Sequence, residues 1–139
     1  KRRKFMSALI DIEGIGEAYA AKLKEVGATT QEKLLEAGST PKGRKELAEK
    51  TGISDALILK WVNHCDLARI KGIGGEYSEL LEAAGVDTVP ELAGRKPENL
   101  YAKIVEVNTA KKLVRNLPVL KQVEDWVSQA KSLPRSVNY

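Results

Sequence analysis

The sequence holds one cysteine, Cys65, and one histidine, His64, among its 139 residues. A single cysteine excludes an intrachain disulfide framework. One residue of each kind cannot assemble a zinc site of the usual ligand count within one chain. The pair is adjacent in sequence and followed by Asp66. Neighbouring residues on a helix point in different directions, so the three do not converge on one ion. A Cys–His nucleophile would also need an orienting group and a cleft, which the flanking residues do not supply. The expectation is a buried Cys65, with His64 at an edge. The acidic residues are spread over helix faces, and no pair stands out as an acid/base dyad. No Gly-x-x-x-x-Gly-Lys-Ser/Thr phosphate loop occurs. The chain therefore reads as a non-enzyme with no cofactor, no metal and no small-molecule substrate. No apolar run approaches the roughly 20 residues that span a bilayer, so no membrane partner is expected. No segment reads as a secretory leader, and the cytoplasm is the expected location.

Hydrophobic residues make up 42% and charged residues 30%, the balance of a globular domain. The formal net charge is +4, but Lys1, Arg2, Arg3 and Lys4 carry all of it, and residues 5–139 are net neutral. Met6 follows directly and would make a natural initiator. Residues 1–5 thus read either as an appended basic tail or as a native phosphate-binding arm. In the first case, the basic pI says nothing of a nucleic-acid partner.

One pattern occurs twice. Ile12-Glu13-Gly14-Ile15-Gly16 returns as Ile70-Lys71-Gly72-Ile73-Gly74. Each copy sits between helix-spaced apolar segments. A Gly-Ile-Gly turn there predicts a tight hairpin, with glycine allowing φ > 0 or a close backbone approach and the Ile plugging into a core. Backbone N–H groups of such a turn, followed by a helix N-terminus, make a small anion-binding nest.

The flanking frame repeats as well. Helices are expected over 17–26, stopped by Gly27, and over 31–37, capped by Thr30 and stopped by Gly38. Thr40-Pro41 starts another helix, which runs to about residue 50. Gly52 and Ser54 separate that helix from the next, which carries Leu57, Ile58, Trp61 and Val62 on one stripe. In the second copy Leu67, Ile70, Tyr77, Leu81, Gly85 and Thr88 match Leu9, Ile12, Tyr19, Leu23, Gly27 and Thr30. Thr88 and Glu91 read as a capping box. Trp126 matches Trp61 only after extra residues around 109–118 are allowed for. Asn108 is the expected helix stop there, Pro118 the start of the last helix, and 136–139 a frayed end. No stretch alternates like a strand. The prediction is an all-α chain of about ten short helices in two tandem copies. The parts are a tail over 1–5, repeats over 6–66 and 67–135, and a C-terminal end over 136–139. The two copies are expected to pack as one compact unit, with Trp61 and Trp126 each buried in its own copy.

Leu9-x-x-Ile12-x-Gly14-Ile15-Gly16-x-x-x-Ala20-x-x-Leu23 and Leu67-x-x-Ile70-x-Gly72-Ile73-Gly74-x-x-x-Ser78-x-x-Leu81 resemble helix-hairpin-helix motifs. From Met6 onward the chain is similar to a prokaryotic family of unknown function built from tandem repeats of that motif. The likeness lies in the Ile-Glu-Gly-Ile-Gly opening, the Pro-Lys-Gly-Arg-Lys-Glu-Leu stretch and the Leu-Pro-x-Leu-x-x-Val-Glu-Asp-Trp ending. In the wider superfamily the hairpin backbone grips a DNA phosphate without reading sequence. That resemblance implies Gly14, Ile15 and Gly16, and Gly72, Ile73 and Gly74, as phosphate ligands, and duplex DNA as the partner.

The charges around the two turns are not those of a strong DNA grip. Glu13 and Glu17 flank the first, and Lys71 and Glu76 the second. Residues 6–41 and residues 71–99 each sum to −3. Basic residues cluster elsewhere, at Lys42, Arg44 and Lys45 and at Lys111, Lys112 and Arg115. Taken singly, each cluster reads as a solvated helix face; convergence on one surface would argue for a polyanion. The expected function is sequence-nonspecific DNA binding through both turns, Lys71 and these clusters. The competing expectation is a protein–protein adaptor with the same fold and no nucleic acid.

Overall fold

A computed structural model describes residues 7–139. Residues 1–5, read above as a basic tail, lie outside the described residues. Among those described there are eight α-helices, one 3-10 turn over Leu9–Asp11, and no strand. The helices are α1 (Glu17–Glu25), α2 (Gln31–Ala37), α3 (Pro41–Thr51), α4 (Asp55–Leu67), α5 (Gly75–Ala83), α6 (Val89–Ala93), α7 (Pro97–Lys111) and α8 (Leu120–Lys131). No helix among the described residues is long and apolar enough to cross a membrane.

Local chemistry starts most of these helices. Thr30 Oγ1 accepts from the Lys33 N–H at 3.1 Å, and Thr40 Oγ1 from the Gly43 N–H at 3.0 Å. Ser54 Oγ accepts from the Leu57 N–H at 3.2 Å. Thr88 and Glu91 form a capping box at α6. Each cap satisfies an N–H that the first helical turn leaves without an acceptor.

The chain divides into two compact units, residues 7–66 with Ser136–Tyr139 and residues 67–135. In the first unit Leu9, Ile12, Ile15, Leu23, Leu34, Ile58, Trp61 and Val62 share a core. In the second, Leu67, Ile70, Ile73, Leu81, Leu92, Ile104, Val123 and Trp126 share another.

Within each unit a tryptophan lies directly under the Gly-Ile-Gly turn. A Cβ on Gly14 would sit 3.3 Å from Trp61 Nε1, and one on Gly72 would sit 3.0 Å from Trp126 Nε1. Both glycines have positive φ, 95° and 98°. Tyr19 stacks obliquely on Trp61 with centroids 5.0 Å apart, and Tyr77 on Trp126 at 5.3 Å. The turn, the Trp and the Tyr therefore form one packed block in each unit.

Four local expectations are corrected. Helix α7 does not stop at Asn108 but runs on to Lys111, and Lys112 takes the left-handed cap with φ 51°. Asn108 instead brackets the next loop. Its Oδ1 accepts from the Val114 N–H at 2.9 Å, and its Nδ2 donates to the Val114 carbonyl at 3.1 Å. The last helix starts at Leu120, not Pro118, with the Val119 N–H donating to Gln122 Oε1 at 2.9 Å. Residues 136–139 are not frayed: Val137 is 1% exposed and belongs to the first unit's core. His64 is not at an edge but fully buried, as are Cys65 and Asp66. Among the described residues no three His, Cys, Asp or Glu gather as a metal site.

Two outcomes follow from these cores. Gly72→Ala forces both the positive φ and the indole contact. It should destabilise the chain by about 2–3 kcal/mol in chemical denaturation. Gly74→Ala meets nothing within 4 Å and should cost no more than about 1 kcal/mol. Burial, and then the carboxylates of Glu32 and Asp66, push the Cys65 thiol well above its ordinary value of 9.0. The native state keeps a proton that the unfolded chain releases. Stability is therefore full below the ordinary thiol pKa and falls as pH climbs past it, by up to about 1.4 kcal/mol per pH unit. Cys65→Ala should flatten that alkaline decline in a denaturation series across pH.

Candidate functional site

The two turns share one backbone pattern. In the first, the Ile12 N–H donates to the Leu9 carbonyl at 2.9 Å and the Ile15 N–H to the Ile12 carbonyl at 3.0 Å. In the second, Ile70 donates to Leu67 at 3.0 Å and Ile73 to Ile70 at 3.2 Å. Ile15 and Ile73 point into their cores and are 2% and 4% exposed. Only backbone is thus offered to solvent, at the exposed Gly14, Gly16, Gly72 and Gly74. Gly16 and Gly74 are the N-caps of α1 and α5 and bring no capping side chain to the first-turn N–H groups. Such helix starts favour an anion through their N–H groups and dipole.

The second turn is held more firmly from below. The Lys71 N–H donates to Gln129 Oε1 at 2.9 Å, and Gln129 Nε2 donates back to the Lys71 carbonyl at 3.1 Å. Gln129 Nε2 also donates to Asp125 Oδ2 at 2.8 Å. This amide clamp occupies the backbone of Lys71, so its exposed ammonium is what remains for a ligand. The Tyr77 hydroxyl donates to the Asn116 carbonyl at 2.8 Å, which ties the loop after α7 to the start of α5. Gly72, Gly74, Gly75, Glu76, Tyr77 and Asn116 together line a cleft of about 370 Å³. Arg115, exposed, precedes Asn116 in the chain. Lys111 and Lys112 are exposed at the C-terminus of α7, where the helix dipole favours positive charge.

The first turn differs. Exposed Glu13 and Glu17 flank it. The nearby cleft of about 400 Å³ is lined by Ile10, Glu17, Ala20 and Lys24 among others, and not by Gly14 or Gly16. Of its unit's basic cluster, Lys42 and Lys45 are exposed, but Arg44 is 8% exposed. Arg44 Nη1 donates to the Gly38 carbonyl and Nη2 to the Asn138 carbonyl, both at 2.8 Å. Its guanidinium is a structural tie and not a free cation.

Gly72, Gly74 and Asn116 therefore line one cleft, with Lys71 and Arg115 as their neighbours in sequence, while Lys42, Arg44 and Lys45 do not act as one group. Sequence reasoning missed Gln129 and Asn116. The signal for Gln129 was its place three residues after Trp126, one helical turn along α8. Nothing local marks Asn116, because the Tyr77 hydroxyl reaches it across 39 residues.

No curated protein and no solved structure matches the chain. The family described as a domain of unknown function, DUF4332, matches residues 13–133, and the chain belongs to that family.

Proposed function

We propose that the chain is a non-enzymatic, sequence-nonspecific DNA-binding module made of two tandem helix-hairpin-helix repeats, with the second repeat as the main phosphate grip. The observation that carries this reading is the Tyr77–Asn116 hydrogen bond of 2.8 Å. It holds the Arg115 loop beside the cleft that Gly72 and Gly74 line. A phosphate at the start of α5 would meet backbone N–H groups, with the Lys71 ammonium and the Arg115 guanidinium supplying charge. Backbone donors carry no base code, so the contact is independent of sequence and sensitive to salt. Glu76 opposes it, and Glu13 and Glu17 oppose it more strongly at the first turn.

Lys112 supports the same reading. A lysine at φ 51° stands where glycine would cost less, by about 1 kcal/mol. Strain of this kind is retained where a side chain is needed.

The test is a titration of duplex DNA at several salt concentrations, with and without residues 1–5. Binding should survive loss of the tail and weaken steeply with salt. Lys71→Glu should weaken it by about tenfold or more, or ~1.4 kcal/mol. Lys112→Gly should raise stability by about 1 kcal/mol while weakening binding and lowering the salt slope by about one contact. Binding that needs only residues 1–5 would overturn the proposal.

A protein–protein adaptor is the second reading. It is favoured by Leu117 and Val119, apolar residues of the same loop that are 39% and 57% exposed. No DNA binding at low salt, together with a partner lost on Val119→Asp, would establish it.

A further inference from the structure

Helix α1 and the 3-10 turn over Leu9–Asp11 line the cleft of about 400 Å³ on the first unit. Glu17, Ala20, Ala21 and Lys24 recur at three- and four-residue steps and so share one stripe of α1. The two alanines leave the middle of the stripe shallow. Glu17 and Lys24, both exposed, mark its ends, two helical turns or about 10 Å apart. Ile10 lines the same cleft and is 52% exposed. A large apolar side chain therefore stands in solvent beside a hollow of small ones, with one charge of each sign at the hollow's ends.

The second repeat shows that the hairpin does not demand these residues. At the matching positions, 58 residues on, it has Ala68 for Ile10, Gly75 for Glu17, Glu79 for Ala21 and Glu82 for Lys24. It still builds the same pair of turn hydrogen bonds and a helix of the same length, α5. The helix dipole favours Glu17 and Lys24 where they stand, yet the second repeat forms its helix with neither. What Ile10, Ala21 and Lys24 add in the first repeat is a surface.

The occupant follows from the layout of that surface. A two-fold interface pairs one patch with itself, so the patch must complement its own rotated image. Rotation about the midpoint of the 17–24 stripe exchanges its ends, and each end then meets the opposite charge. A partner carrying one sign of charge would match one end and be repelled at the other. We propose that this face is a self-association surface, on which a second copy of the chain docks about a two-fold axis. Two Glu17–Lys24 pairs flank the contact, and each Ile10 packs over Ala20 and Ala21 of the other copy. The body of the chain, residues 5–139, is net neutral, so it sets up no bulk repulsion between copies. Exposed ion pairs fix register more than they add affinity. The dimer is accordingly weak, with a Kd between about 10 µM and 1 mM, and salt loosens it.

Sedimentation velocity of the intact chain over that concentration range tests this. Monomer should pass reversibly to dimer as concentration rises. Ile10→Ala, which installs the residue of the second repeat, should raise Kd by about fivefold or more. Lys24→Glu and Glu17→Lys each set like charges against one another and should raise it by about tenfold or more. The double reversal, Glu17→Lys with Lys24→Glu, regenerates both pairs and should return Kd to within about threefold of the original. All three side chains are exposed, so the core is untouched in every variant. A chain still monomeric at about 1 mM, or a dimer indifferent to Ile10→Ala and to both single reversals, would overturn the proposal. A double reversal as weak as the single ones would also overturn it, because the face would then not be meeting its own image.

Discussion

Each unit depends on an indole packed under a glycine. Trp61 beneath Gly14 and Trp126 beneath Gly72 leave 3.3 and 3.0 Å to a Cβ that does not exist. A side chain at either position would crowd the ring and take up a left-handed φ that only glycine adopts at no cost. The buried ring in turn fixes the turn's height above the core, while Ile15 or Ile73 anchors it from the other side. Tyr19 and Tyr77 close the block. The exposed backbone of each turn is therefore supported from below by packed side chains.

The same block has diverged in the two units. In the second, the longer α7 and the loop beyond it bring Asn116 to the Tyr77 hydroxyl, and Gln129 holds the turn through the backbone N–H and carbonyl of Lys71. In the first, carboxylates flank the turn and Arg44 is spent on the Gly38 and Asn138 carbonyls. One frame thus supports a cleft with Lys71 and Arg115 next to its lining residues in sequence in one copy, and a turn flanked by carboxylates in the other. This asymmetry is why the proposed phosphate grip is assigned to the second turn.

Much of this was legible in the sequence, because it is local. Thr-capped starts and the buried Ile of each turn follow from short-range chemistry. Pairing Trp61 with Trp126 followed from the repeat. What was not legible depends on distant partners. Arg44 looks like its neighbours Lys42 and Lys45 until the segment at Asn138 reaches it from 94 residues away. Residues 136–139 look like a polar end until Val137 finds a core. His64 falls on the inward side of α4, where its polarity argued for an edge. Asn108 has the chemistry of a helix stop, but its amide is more use bracketing Val114, and Lys112 takes the strained cap instead.

The most direct test of a phosphate grip at the second turn is an amide-resolved NMR titration of the intact chain with a short DNA duplex at low salt. Gly72, Gly74, Gly75, Glu76 and Tyr77 should shift first, with Arg115 and Asn116, while Gly14 and Gly16 move less. Shifts confined to residues 1–5, or larger at Gly14 and Gly16 than at Gly72 and Gly74, would contradict it.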